Sequence, residues 1–132
     1  MRLTPQTRAV LHWVRRLGHA ANSELLQCLI PAFPELTATT VHRITNRLVE
    51  AGEIARGPTL AGGTTLDANL APHDHFHCTS CGGIRDILVS DAIFEDLQAQ
   101  LGENLVRRGL LVTGSCEACL KPPSARSRAR RT

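Results

Sequence analysis

Pro72-His73-Asp74-His75-Phe76-His77-Cys78-Thr79-Ser80-Cys81-Gly82 gathers three of the chain's six histidines and two of its five cysteines into eleven residues. Cys116 and Cys119 repeat the C-x-x-C spacing near the end of the chain. Two thiolates three residues apart on a tight turn can bind one ion together, and two such turns complete a closed tetrahedral four-cysteine zinc site. The imidazoles and carboxylates beside the first pair are harder donors and imply a second metal with a different task. A staple that joins residues 78–81 to residues 116–119 makes 73–120 one small unit.

Within that unit the sequence alternates strand and helix signals. A strand is expected from His75 to Thr79, then the Cys turn, then a strand from Ile84 to Val89. Ser90 caps a helix with Ile93, Phe94, Leu97 and Leu101 on one face, and Gly102 ends it. A last strand spans roughly Leu105 to Thr113, interrupted near Arg107-Arg108-Gly109, and runs into the second Cys pair. So short a stretch cannot bury a robust core. Zinc between its first and last strands would staple it, and pairing with a second copy would bury the remaining apolar surface.

Upstream, Asp67 to Pro72 is short, polar and proline-ended, which reads as the approach to a hinge at 69–72. The sequence before it, 1–68, carries three helices and a hairpin. Thr4 caps the first helix and Pro5 suits its first position. Ala9, Val10, Trp13, Val14 and Leu17 recur at helical spacing before Gly18. A second helix begins near Asn22 or Ser23, with Leu25, Leu26, Leu29 and Ile30 as its apolar face, and Pro31 and Pro34 close it. Cys28 within it has no cysteine partner and reads as an inert core thiol.

The third helix, Thr37 to Gly52, buries Val41, Ile44, Leu48 and Ala51 and takes Gly52 as its C-cap. Thr39, Thr40, His42, Arg43, Asn46 and Arg47 are left outside. Arg and Asn are the side chains that read guanine and adenine edges in the major groove. Glu53 to Arg56 and Thr64 to Leu66 follow as strands around a loop, Gly57 to Gly63. Three helices and such a hairpin make a winged helix-turn-helix, with the third helix in the major groove and the wing near the backbone. The fold class expected is therefore α+β: an N-terminal winged helix-turn-helix and a small C-terminal α/β dimerisation domain.

Composition limits the partners. Of 15 Lys and Arg, five (Lys121, Arg126, Arg128, Arg130 and Arg131) lie in residues 121–132, which leaves ten basic residues against 12 acidic ones. DNA affinity of the body must come from local clustering, and 121–132, rich in Pro, Ser, Ala and Arg, reads as a basic disordered tail. No apolar run approaches the roughly 20 residues of a membrane span. Met1-Arg2-Leu3-Thr4-Pro5-Gln6 lacks the apolar core of a signal peptide, so a cytoplasmic setting with metal thiolates rather than disulfides is expected.

Four stretches resemble one family. Leu3-Thr4-Pro5-Gln6-Thr7-Arg8 is similar to the L-T-P-Q-R opening of the ferric uptake regulator family. Ala38 to Arg43, continued through Leu48 to Gly52, resembles its A-T-V-Y-R…L-x-x-A-G recognition helix. His73 to Gly82 matches its H-x-H-x-x-C-x-x-C-G signature, and Cys116 to Cys119 its terminal C-x-x-C. The resemblance covers Leu3 to about Leu120. It implies a homodimeric, metal-gated repressor that binds palindromic operator DNA, not an enzyme.

The resemblance also assigns residues. Zn2+ in a structural site would be held by Cys78, Cys81, Cys116 and Cys119. The regulatory metal would be held by His19, from the loop before the second helix, by Asp67, at the end of the wing, and by His73, His75 and Asp86. Three imidazoles and two carboxylates suit Fe2+ or Mn2+ better than Zn2+, though Zn2+ regulation stays open. With aspartate at position 86 the set is similar to the peroxide-sensing branch, where bound Fe2+ reacts with peroxide and oxidises a ligand histidine. The matching positions are His19 and His73; with Mn2+ that chemistry is silent.

Two departures stand out. The usual tyrosine of the recognition helix is His42 here. A further metal site of the family uses a glutamate and a histidine that fall near Ile93 and Arg108, so it is expected to be absent, with only His73 and Asp74 remaining. His12 reads as a surface residue, Asp74 as alternating away from His73 and His75, and His77 as a neighbour of the ligands that is not itself one. Two rival functions remain at this level. A metallohydrolase could use an H-x-H motif but would need a second His/Asp cluster. A plain zinc-stabilised interaction module would be indifferent to replacement of His19 or Asp86.

Overall fold

The computed structural model describes residues 3–102, 105 and 109–120. It divides into two compact units, Met1–Ala71 and Pro72–Thr132. The expected basic tail, 121–132, and residues 106–108 of the last strand expected from Leu105 to Thr113 lie outside the described residues.

The first unit holds helices α1 (Pro5–Leu17), α2 (Asn22–Leu29) and α3 (Ala38–Glu50), with strands β1 (His19–Ala21), β2 (Ala55–Leu60) and β3 (Gly63–Asp67). Local chemistry sets the helix starts. The Thr4 hydroxyl accepts the amide of Thr7 at 3.2 Å, and the Thr37 hydroxyl that of Thr40 at 3.3 Å. Each satisfies one of the amides that a helix start leaves unpaired. Helix α3 ends in a Schellman turn: Gly52, at φ +75°, donates to Val49, and Glu53 donates to Leu48. Only glycine adopts that backbone without cost.

The helices and the sheet enclose one apolar core. Val10, Leu11 and Val14 of α1 meet Leu25 and Leu29 of α2, Val41, Ile44 and Leu48 of α3, and Ala20, Leu36, Ile54 and Leu66 between them. Three expected core residues fall outside it. Leu17 is 42% exposed, Ile30 41%, and Ala51 is exposed beyond the last helical turn. In place of Ala51, Thr45 is buried at 1% exposure. Leu48 has no exposed surface, so Leu48→Ala is expected to destabilise the first unit by about 2–5 kcal/mol, the range for a buried leucine. Urea unfolding followed by the fluorescence of Trp13 measures it, and a loss under about 1 kcal/mol would contradict this packing.

The sheet of the first unit corrects two expectations. His19 lies on strand β1, not in a loop, and pairs antiparallel across β3 with Asp67 in the order β1-β3-β2. The wing strands also run further than expected, through Gly57 and Pro58, with a register shift between Arg56 and Thr59. Proline has no amide for the ladder, and the bulge absorbs it. The Pro58 carbonyl accepts the Thr65 hydroxyl at 2.9 Å, and a Cβ on Gly57 would come within 2.7 Å of that hydroxyl. Glu53 and Ile54, expected in the strand, precede it: Glu53 closes the helix and Ile54 is buried in the core.

The second unit carries β4 (Asp74–Cys78), β5 (Ile84–Ile87), α4 (Asp91–Leu101), β6 (Leu111–Gly114) and α5 (Glu117–Leu120). Strand β4 is central, antiparallel to β5 and parallel to β6. Ser90 caps α4 through the Ile93 amide. Of the expected α4 face only Phe94 is buried and Leu97 half-buried, while Ile93 is 55% and Leu101 71% exposed. Among the described residues, Phe94 and Cys78 are the buried apolar side chains of this unit.

Candidate metal centres and DNA-reading helix

Strand β4 delivers its end to the cysteine cluster. Cys78 is its last residue, and the turn that follows closes when Gly82 donates to the Cys78 carbonyl at 2.9 Å. Parallel pairing of Cys78 with Gly114 brings the second C-x-x-C alongside, and Thr79 donates to the Gly114 carbonyl at 2.8 Å. The Sγ atoms of Cys78 and Cys119 are 3.7 Å apart, those of Cys81 and Cys116 3.9 Å, and all four lie within 4.8 Å of one another. Zn–S bonds of about 2.3 Å in a tetrahedron put sulfurs about 3.8 Å apart, so the cluster fits that ion.

Electrostatics prepare the same atoms. The amides of Cys116 and Cys81 point at the Cys78 sulfur from 3.3 and 3.4 Å. Those N–H groups favour a thiolate and pull the Cys78 thiol down to about 5. Cys119 is pushed the opposite way, to about 12, first by its hydrogen bond to Cys116 and then by burial. Four thiolates this close repel one another without a cation between them, and a dication removes the conflict.

A second donor cluster stands at the other end of β4. His73 and His75 are two residues apart, and their Nε2 atoms are 3.0 Å from each other. Antiparallel pairing sets Asp86 of β5 opposite His75. The Asp86 carboxylate is 3.3 Å from His73 Nε2 and 3.7 Å from His75 Nε2. Two donors about 2.1 Å from one ion and at right angles lie about 3.0 Å apart, so the closer pairs suit neighbouring corners of an octahedron. Both histidines are buried, and Asp86 is about a third exposed.

Between these histidines Asp74 points the other way, as strand alternation requires. Its carboxylate is 2% exposed and accepts the amides of Val89 and Leu110, both at 3.1 Å. Its oxygens therefore tie β4 to the segments beside it. That use was not legible in the sequence, because the partners are backbone groups 15 and 36 residues away.

The first unit holds a smaller donor pair. His19 Nε2 lies 3.2 Å from an Asp67 carboxylate oxygen, across the β1–β3 ladder. Asp67 is 2% exposed, and its other oxygen accepts the Asn69 amide at 2.8 Å. The ladder sets the two residues opposite each other, which brings their side chains together.

Helix α3 turns Thr39, His42, Arg43 and Arg47 fully outward, with Thr40 and Asn46 half-buried. A cleft of about 440 Å³ runs beside it, lined by Thr40, Arg43, Ile44 and Arg47, by the α1 cap Thr4 and by Gln6 and Thr7 of α1. Two helix residues have partners that sequence reasoning missed. Arg56 of β2 donates to the Asn46 side-chain oxygen at 3.1 Å, and Asn22 of α2 contacts His42 Nδ1 at 3.0 Å. Arg56 stands out as the one charge in the wing strands before Asp67; Asn22 gave no signal beyond helix capping.

Comparison with known proteins agrees with this arrangement. The Ferric uptake regulator family model matches residues 1–107. The Ferric uptake regulation protein of Vibrio anguillarum is 29% identical over 114 residues, covering 81% of this chain and 75% of that protein. The solved structure of the Campylobacter jejuni peroxide stress regulator is 29% identical, with a TM-score of 0.63 over 89% of this chain and 90% of its own. A zinc uptake regulator complexed with zinc and DNA is 26% identical, with a TM-score of 0.64 over 91% and 84%. Order, topology and clusters thus converge, and the chain belongs to the ferric uptake regulator family, as a metal-responsive transcriptional regulator rather than an enzyme.

Proposed function

We propose that this chain is a homodimeric repressor of metal-homeostasis or peroxide-stress genes, closed onto palindromic operator DNA by Fe2+ or Mn2+. In this reading Cys78, Cys81, Cys116 and Cys119 hold a structural Zn2+. His19 and Asp67 of the first unit and His73, His75 and Asp86 of the second share the regulatory ion. The observation that carries it is the pair of incomplete donor sets. Two donors in one unit and three in the other each fall short of a six-coordinate ion, and together they come close.

A ligand set split between units rewards only conformations that bring both halves together, so occupancy selects the angle between them. A near-complete switch needs about 5 kcal/mol of preference for the closed state. All five donors are nitrogen or oxygen, which favours Fe2+ or Mn2+ over a thiolate-rich zinc site. When bound, iron would supply peroxide reactivity beside His19 and His73. On the DNA side, Thr39, Thr40, His42, Arg43, Asn46 and Arg47 face the major groove. The half-exposed α4 and the exposed Leu111 and Val112 of β6 supply apolar area for a second copy. A cytoplasmic location accords with this role.

The test is binding to duplexes selected from a random pool, with Mn2+, Fe2+ or Zn2+ added at one salt concentration, before and after peroxide. Mn2+ and Fe2+ are expected to raise affinity at least about 100-fold, the size of a strong coupling. Peroxide should reverse the Fe2+ effect alone and add oxygen to His19 or His73 by mass spectrometry. A response to Zn2+ only would make the chain a zinc uptake regulator instead. Metal-independent binding would sink the gating scheme.

A further inference from the structure

We propose that Asn22 fixes the tautomer of His42 and so makes it a hydrogen-bond donor that reads a base acceptor, and thereby discriminates against cytosine, in the major groove. The inference rests on the DNA-binding reading of α3 and concerns the position where this chain has histidine. Asn22, half-buried at the start of α2, reaches across to α3 with both ends of its amide. Its Oδ1 accepts the hydroxyl of Thr45 at 2.9 Å, and its Nδ2 lies 3.0 Å from His42 Nδ1. Thr45 is 1% exposed, and its one hydroxyl hydrogen faces Asn22 Oδ1 at 2.9 Å and the His42 carbonyl at 3.1 Å; the shorter contact sets the amide with its oxygen toward Thr45 and its nitrogen toward the ring.

The polarity follows from these contacts. An amide nitrogen carries two hydrogens and no lone pair, so it can only donate. His42 Nδ1 must then be the acceptor, and a neutral imidazole with a lone pair at Nδ1 carries its hydrogen at Nε2. His42 is exposed beside Arg43, so that Nε2–H is presented outward from the helix. Guanine offers N7 and O6, thymine O4 and adenine N7 as acceptors in the major groove; cytosine offers only its N4 donor. A fixed Nε2–H can therefore be accepted by guanine, thymine or adenine and rejects cytosine. Without Asn22 the ring is free to carry its hydrogen on either nitrogen, and the discrimination is lost.

Two measurements test this on the full-length, zinc-loaded protein. The first is long-range 15N–1H NMR of the histidine rings at about pH 8, where imidazoles are neutral. His42 is expected as the Nε2–H form in the wild type and as Nδ1–H in Asn22→Asp, which keeps an acceptor for Thr45 but turns the facing donor into an acceptor. The second is selection from a random duplex pool with Mn2+ present, comparing wild type, His42→Ala and Asn22→Asp. One position per half-site should disfavour cytosine by about 3- to 10-fold against bases that offer an acceptor, the size of one hydrogen bond. His42→Ala should flatten that position, Asn22→Asp, whose ring then presents an acceptor at Nε2, should remove or invert the preference, and both should leave the other positions selected.

A wild-type ring in the Nδ1–H form, or a His42→Ala profile identical to wild type, would overturn the assignment while leaving DNA binding intact. So would an Asn22→Asp protein, still folded by circular dichroism, with unchanged tautomer and preference. Failure to select any sequence with any metal would instead overturn the DNA-binding reading, and this inference with it.

Discussion

Cys78→Ser is expected to remove zinc from the protein and to abolish cooperative folding of the second unit. The size of the effect follows from what else holds that unit together. Its described residues bury Phe94 and Cys78 as apolar side chains, against the dozen core residues of the first unit. A structural zinc is worth about 10–16 kcal/mol of apparent binding free energy at neutral pH, far more than one buried phenylalanine can supply. Cys78 is also the sulfur on which two amides converge, and it is 1% exposed, so serine leaves those groups facing a poorer ligand. Zinc content by atomic emission should fall from about one per chain to near zero. Thermal unfolding should keep the transition of the first unit, whose core lies wholly within residues 9–68, and lose that of the second. A variant that retained a full zinc and both transitions would show that the cluster is not the staple.

This dependence explains which parts of the fold were legible in the sequence. Thr4-Pro5 announced the start of α1 and Gly52 the end of α3 because caps act within four residues, and Val41, Ile44 and Leu48 repeat at helical spacing. The two C-x-x-C pairs announced the zinc cluster for the same reason: each half is local chemistry. Strand β1 was invisible, since His19-Ala20-Ala21 is too short to alternate and exists only through its pairing with β3. The wing was misjudged because Gly57 and Pro58 look like loop residues until the bulge admits them. Ile93 and Leu101 fit a helix face, but their exposure depends on how much unit there is to cover them. Asn22 and Thr45 escaped for a related reason. Their meaning lies in one contact between two helices, which no spacing within either helix encodes.

The proposed regulatory ion poses a sharper test, because its donors would come from both units. His19→Ala and Asp86→Ala are expected to produce the same defect although one residue lies on β1 and the other on β5. Each should cut the Mn2+-driven gain in DNA affinity from about 100-fold or more to within about 5-fold, a loss near 2 kcal/mol of coupling. Each should keep its zinc and its melting transitions, because neither residue belongs to the cysteine cluster or the apolar core. The decisive comparison is the double variant. If one ion is shared, the first substitution already removes the coupling and the second has nothing left to remove, so the effects do not add. If His19 and Asp67 held one ion and His73, His75 and Asp86 another, each single variant would lose part of the response and the double variant their sum. Titration of Mn2+ against fluorescence anisotropy of a labelled duplex separates these outcomes. A His19→Ala protein with an undiminished metal response would remove the first unit from the sensor, and the angle between the units would then need another cause.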